Sequence, residues 1–239
     1  MQTIKTDIAV IGSGVGGSAV AHQLVGSGAK ILILERGGDL PKEPHNSDAE
    51  AVFVQSRYKT QDEWLDVKGV PYRPGQYYYV GGHTKFYGTA MFRFRESDFG
   101  QTQIDGATSP AWPVSYADLA QYYARAERLY GVRGTAGVDP TEPPRDAFPH
   151  AAIPHEPVIA ALSVRLRAQG LHPFAMPSAV DYGPGGTCRR CGTCDAFACR
   201  FDAKGDADTR VLRPLLAHPE VRLERNAEVT RLILDGAGQ

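Results

Sequence analysis

An α/β fold built on a parallel sheet is what this sequence predicts, and three observations predict it. The first is the stretch Thr6 to Arg36, TDIAVIGSGVGGSAVAHQLVGSGAKILILER, where an apolar run, three spaced glycines, a helix-like segment and a second apolar run follow in order. The second is YADLAQYYARAERLYGV at 116–132, whose apolar and aromatic residues fall on one helical face. The third is EVTRLIL at 228–234, which alternates like a half-buried strand.

The opening stretch reads as one βαβ unit. Ile8-Ala9-Val10-Ile11 forms the first strand and Ile31 to Leu34 the second. Between them Gly12 permits a tight turn, Gly14 lets a pyrophosphate approach the backbone, and Gly17 lets helix and strand pack closely. The free N–H groups of the helix N-terminus then favour an anion. Glu35 stands 18 residues beyond Gly17, at the end of the second strand, placed to accept hydrogen bonds from ribose hydroxyls. A lone G-x-G-x-x-G would be weak evidence. Strand, glycines, helix, strand and acid in this order make a dinucleotide fingerprint, and the fold is Rossmann-like.

Beyond Glu35 the run GGDLPKEPHNSDAE is polar and loop-like, and a second glycine turn follows at Val80-Gly81-Gly82-His83-Thr84. Ser115 suits a helix N-cap, with Asp118 adding charge to the first turn and Gly131 ending the helix. Residues 133–157 are proline-rich and read as an ordered loop or domain crossing. A short helix is expected from Pro157 to Gly170 and another from Asp208 to Leu216, with strands at about 221–225 and 228–234. Asp235-Gly236 is a hairpin signal with no return strand after it, so a fragment of a longer protein is expected.

Bulk properties exclude several classes. The 239 residues carry 42% hydrophobic and 22% charged residues, ordinary for a globular chain. A net charge of −1 gives no reason to expect nucleic acid. No apolar run reaches the roughly 18 residues of a membrane span, and the N-terminus enters the first strand without room for a secretory leader, so a cytoplasmic location is expected.

All four cysteines lie together as Cys188-x-x-Cys191-x-x-Cys194-x4-Cys199. This approaches a ferredoxin run, but the last gap is one residue longer and Arg200 stands where that run has proline. An iron–sulfur cluster, a tetrahedral zinc, and thiols without metal all remain open. Arg189, Arg190 and Arg200 would offset the charge of a bound cluster or lower the thiol pKa values, or lie solvated at the surface.

With the fingerprint, the GGHTKFYG turn, the WPVSYADLAQYYARAERLYGV helix and the NAEVTRLIL strand taken together, the chain resembles the glucose-methanol-choline (GMC) family of flavoprotein oxidoreductases, from Thr6 to Leu234. It looks most like the sugar- or glycoside-oxidising branch that carries a cysteine cluster. The resemblance implies FAD, with its adenosine half on Gly12, Gly14, Gly17 and Glu35, and with Ser13, Val15 and Arg36 also among the cofactor-binding residues. Val80, Gly81, Gly82, His83 and Thr84 would lie along the pyrophosphate and flavin, and Val229 near the adenine. Some members bind flavin covalently through a histidine in this turn. Lys85 stands at that position here, so non-covalent FAD is expected. The family's catalytic histidine is expected beyond residue 239, and none of the seven histidines present is assigned that role.

The implied activity is hydride transfer to flavin from a CH–OH group of a sugar, glycoside or related alcohol, with oxygen, a quinone or a redox partner as acceptor. A catalytically inert N-terminal fragment that at most binds FAD is one alternative, and a pyridine-nucleotide flavoprotein reductase is another. The expected organisation is a first FAD-binding part at 1–40, a flavin-contacting and partly substrate-side region at 41–185, and a cysteine cluster with a return to the FAD domain at 186–239.

Overall fold

The computed structural model describes residues 3–234. In chain order the first half holds β1 (Ile8–Ile11), α1 (Val15–Leu24), β2 (Ile31–Leu34), β3 (Trp64–Leu65), β4 (Pro71–Tyr72), β5 (Thr102–Ile104) and β6 (Ala107–Ser109). The second half holds α2 (Tyr116–Tyr130), β7 (Val132–Gly134), β8 (His150–Ala151), α3 (Pro157–Arg167), β9 (Ser178–Ala179), α4 (Arg213–Leu215) and β10 (Val221–Glu224). The chain divides into two compact units, one made of residues up to 88 with those from 188 onward, the other of 89–187.

The first unit is built on a parallel sheet in the order β1-β2-β10. Its central strand β2 buries Ile31, Leu32 and Ile33, while the edge strand β10 alternates, with Val221 and Leu223 buried. Helix α1 packs against this sheet through Ala21, with Ser18 also buried, and its start is held close by Gly17. A Cβ at Gly17 would lie 2.0 Å from the carbonyl oxygen of Gly12, so only glycine permits this approach. A second apolar cluster joins Val52, Tyr58, Phe86 and Ala198, and the Tyr77 ring stacks on Phe86 at 3.8 Å between centroids.

The expected helix at 208–216 appears as a π-helical turn at Ala207–Leu212 running into α4. Asp206 caps it, accepting from the Thr209 N–H at 2.8 Å. The expected strand at 228–234 is not formed. Among the described residues nothing pairs with it, and Leu232, Ile233 and Leu234 are exposed; an alternating pattern makes a strand only when a neighbour takes its backbone groups. The hairpin expected at Asp235-Gly236 lies outside the described residues.

The second unit contains α2, whose Ser115 hydroxyl accepts from the Asp118 N–H at 3.3 Å while Asp118 accepts from Ser115 N–H at 2.8 Å. Gly131 ends this helix in the left-handed region at φ 66°. Buried Arg93 forks onto Glu127 at 2.8 and 2.7 Å, and Arg145 reaches the same carboxylate at 2.6 Å while covering the Phe148 ring. This network fixes α2 in its unit. A three-stranded sheet in the order β8-β7-β9 and the hairpin β5-β6 complete it.

Candidate dinucleotide-binding site

A cavity of about 360 Å³ opens in the first unit, where β1 and β2 end. That is where α/β sheets hold their ligands. Gly12, Glu35, Arg36, Gly82, His83 and Val229 all line it, with Gln76, Tyr77 and Tyr78 on its wall. Residues from three distant stretches are thus gathered around one space. Ser13, Gly14, Val15 and Gly17 belong to the turn and helix start beside it.

The turn after β1 is shaped for an anion. Gly14 is the N-cap of α1 and no side chain caps the helix, so first-turn N–H groups are left for a ligand. A Cβ at Gly14 would meet no protein atom within 4 Å, whereas one at Gly82 would lie 3.4 Å from the Gly14 Cα. The two glycine turns therefore approach each other backbone to backbone. These residues fit a pyrophosphate.

Glu35 is buried, and its carboxylate is already engaged. Its Oε2 accepts from the Ser13 N–H at 2.9 Å and the Ser13 hydroxyl at 2.5 Å, and its Oε1 accepts from the Gly37 N–H at 2.9 Å. A carboxylate has about four acceptor sites, so one remains for a ribose hydroxyl. Arg36 lays its guanidinium 3.8 Å from the Tyr78 ring centroid and pairs with Asp62 at 2.9 Å, forming a flat rim to the cavity.

In the second turn Gly81 sits at φ 90°, with Val80 buried beside it. The Gly81 N–H donates to the Ser13 hydroxyl at 3.1 Å, and the Thr84 hydroxyl donates to the Gly81 carbonyl at 2.5 Å. The His83 Nε2 lies 2.6 Å from the Gln76 side-chain oxygen, which fixes the ring at the cavity wall. Lys85 turns inward. It is 4% exposed, with its ammonium 3.1 Å from Asp206 and 2.9 Å from Asp208.

The four cysteines stay near one another, since Cys188, Cys191 and Cys199 all act electrostatically on Cys194. Cys188, Cys191, Cys194 and Cys199 are all free thiols, and among the described residues no group of three or more His, Cys, Asp or Glu is placed to hold a metal ion. This geometry therefore gives no support to the iron–sulfur or zinc alternatives. Cys191 faces solvent, where its thiol is held down by a hydrogen bond with the Thr193 hydroxyl at 3.3 Å. Cys194 is partly buried, and desolvation pushes its thiol up. Close sequence spacing brings thiols near one another, but ligation also requires them to point at one centre.

One segment that sequence reasoning passed over organises this unit. Lys204 and Asp206 are each 1% exposed. Both have partners 117 to 121 residues away, at Lys85 and Tyr87, besides nearer ones. The only signal in the sequence was a lysine and two aspartates directly before a helix.

No protein-family model matches the chain. It is 33% identical to 6'''-hydroxyparomomycin C oxidase of Streptomyces lividus, over 98% of this chain and 43% of that protein. It is also 33% identical to paromamine 6'-oxidase of Streptomyces fradiae, over 96% of this chain and 41% of that protein. Among solved structures, pyridoxine 4-oxidase from Mesorbium loti superposes with a TM-score of 0.55 at 16% identity, over 97% of this chain and 44% of that one, which shows a shared fold. The chain thus spans less than half the length of these relatives. Among the described residues no helix is long and apolar enough to cross a membrane. On its relatives, the chain belongs to the glucose-methanol-choline family of oxidoreductases.

Proposed function

We propose that this chain supplies the FAD-binding share of an oxidoreductase that oxidises a CH–OH group of a sugar or glycoside. The observation that carries the reading is the cavity where Gly12, Glu35, Gly82, His83 and Val229 converge beside an uncapped helix start. Such a site suits a dinucleotide whose pyrophosphate lies between the two glycine turns and whose ribose reaches Glu35. Two relatives at 33% identity are named as oxidases of aminoglycosides, which supports a polyhydroxylated substrate.

Bound FAD would supply the hydride acceptor. The chain's own residues would bind and orient it. Ser13 and Gly81 hold the two turns in register, Gln76 fixes His83 at the wall, and Lys85 is committed to buried carboxylates and so leaves the cofactor non-covalent. The base that takes the hydroxyl proton is assigned to no residue described above, and oxygen, a quinone or a redox partner would reoxidise the flavin.

The visible spectrum tests the reading. Purified protein supplied with FAD should retain flavin bands near ~370 and ~450 nm. In the complete protein these bands should bleach anaerobically on addition of an aminoglycoside or simple sugar. Failure to retain flavin would remove the cofactor assignment. Retention with no bleaching by any polyol would keep FAD binding and remove the proposed activity.

A further inference from the structure

Lys204 is 1% exposed and its ammonium is surrounded by main-chain oxygens. Its Nζ lies 2.5 Å from the Cys194 carbonyl, 2.5 Å from the Phe197 carbonyl, 2.7 Å from the Tyr87 carbonyl and 3.3 Å from the Lys85 carbonyl. An ammonium has three protons, so these oxygens exhaust it. Two belong to the cysteine loop and two to the exit of the glycine turn that lines the cavity. The Cys194 and Cys199 thiols and the Asp195 and Asp206 carboxylates stand around it.

The residues after Lys204 grip the same turn. The Tyr87 hydroxyl donates to the Gly205 carbonyl at 2.6 Å, the Asp206 carboxylate takes the Lys85 ammonium, and the Ala207 N–H donates to the Thr84 hydroxyl at 3.0 Å. The Lys204 carbonyl is itself held by the Thr209 hydroxyl at 2.9 Å. Four consecutive residues, 204 to 207, are thus each bonded to residues 84–87.

We propose that Lys204 is a positioning residue that couples the cysteine loop to the dinucleotide site, so that a chemical change at the loop's thiols alters the hold on the cofactor. Lys204 touches no ligand in this scheme. It acts because one ammonium serves both segments: a displaced loop withdraws two of its acceptors, and the turn that shares the ammonium loses its fixed place. Buried carbonyls left without a donor are costly, so the turn would rearrange to find others. Cys191 is the accessible end of this device, being exposed and having a thiol held below its ordinary range by Thr193.

The inference rests on the FAD reading above, and the experiment separates the two. FAD affinity is measured by flavin fluorescence titration on the full chain, wild type and Lys204→Met, each before and after one equivalent of iodoacetamide. In that treatment the Cys191 thiolate displaces iodide and forms a C–S bond, and peptide mass mapping confirms the site. Lys204→Met should weaken FAD binding about tenfold or more, the loss expected when a buried, charge-assisted set of bonds is removed. Alkylation should weaken wild type several-fold and leave Lys204→Met unchanged, because the link it acts through is gone. A merely structural lysine would lower the melting temperature but leave the alkylation effect the same in both proteins. Equal effects, or no effect on wild type, would overturn the coupling. Should Lys204→Met show no cooperative melt, Tyr87→Phe carries the test, since it takes away the hydroxyl that donates to the Gly205 carbonyl. It should weaken FAD binding and blunt the alkylation effect, and wild-type behaviour in both respects would sink the proposal. A wild type that binds no FAD at all would instead sink the functional reading.

Discussion

The Ser13 hydroxyl stands 2.5 Å from one oxygen of Glu35, and the same oxygen takes the Ser13 N–H at 2.9 Å. Both residues are buried, at 0% and 6% exposure, and the hydroxyl also accepts from the Gly81 N–H at 3.1 Å. One oxygen atom therefore ties the fingerprint turn, the end of β2 and the second glycine turn together. Ser13→Ala would leave the Gly81 N–H without its acceptor and Glu35 with one donor fewer. The expected cost is about 1–3 kcal/mol, read as a lower urea midpoint at unchanged slope, with weaker FAD binding alongside. A midpoint equal to wild type would show that water replaces the hydroxyl at no cost.

Gly14 and Gly17 should fail differently. A Cβ at Gly17 runs into the Gly12 carbonyl oxygen at 2.0 Å, so Gly17→Ala forces the helix away from the strand. It should cost several kcal/mol, about the upper end of single substitutions, and reduce the yield of folded protein. At Gly14 a Cβ meets nothing within 4 Å and the backbone has an ordinary φ of −66°. Gly14→Ala should melt within a few degrees of wild type yet lose affinity for FAD, because its methyl would stand where the proposed pyrophosphate lies. Thermal melts and flavin titration distinguish the two, and a Gly14→Ala protein that binds FAD normally would place the pyrophosphate elsewhere.

The contrast between legible and hidden parts of the site follows from range. β1, α1 and β2 were readable because every signal for them lies within residues 6–36 and each glycine acts on a neighbour. Ser115 and Gly131 were readable for the same reason, since caps are local. The strand expected at 228–234 failed because alternation describes a surface waiting for a partner, and none of the described residues provides one. Lys204 and Asp206 were invisible because what buries them comes from residues 85–87, and a charged run ahead of a helix looks solvated until the chain returns. The cysteine spacing reported proximity alone, which is common to a cluster, a zinc site and free thiols and so does not choose among them.

An acid-sensitive lock holds the loop after β2. Glu43 takes a forked bond from Arg57 at 2.8 and 3.0 Å and a bond from the Tyr58 hydroxyl at 2.9 Å, and these hold its carboxyl down to about 2 from 4.5. A carboxyl whose folded value is depressed stabilises the fold fully above its unfolded value and loses that contribution as pH falls through the folded one. The gap in melting temperature between wild type and Glu43→Gln should therefore be constant near neutrality and close between about pH 4.5 and pH 2. A gap that persists unchanged to pH 2 would mean that the carboxylate's charge is not what holds the loop.

Lys85 offers the sharpest test of how the second turn is built. Its ammonium is buried against Asp206 at 3.1 Å and Asp208 at 2.9 Å, while Arg213 reaches Asp208 at 2.6 Å and Asp202 at 2.6 Å. Removing one partner of a buried ion pair leaves the other charge uncompensated, at a cost of about 3–5 kcal/mol. Lys85→Met should show that loss in urea denaturation, and Lys85→Met with Asp206→Asn should recover part of it, because the orphaned charge is then gone too. Asp208 keeps Arg213, so neutralising Asp206 is the change that should rescue. If the double variant is no more stable than the single one, the carboxylate is accommodated by other donors, such as the Thr209 N–H at 2.8 Å. The inward course of this side chain also bears on the cofactor. A Lys85→His protein loaded with FAD should release all its flavin on acid precipitation, since a ring grafted at this position would follow the lysine into the interior and away from the cavity that His83 lines.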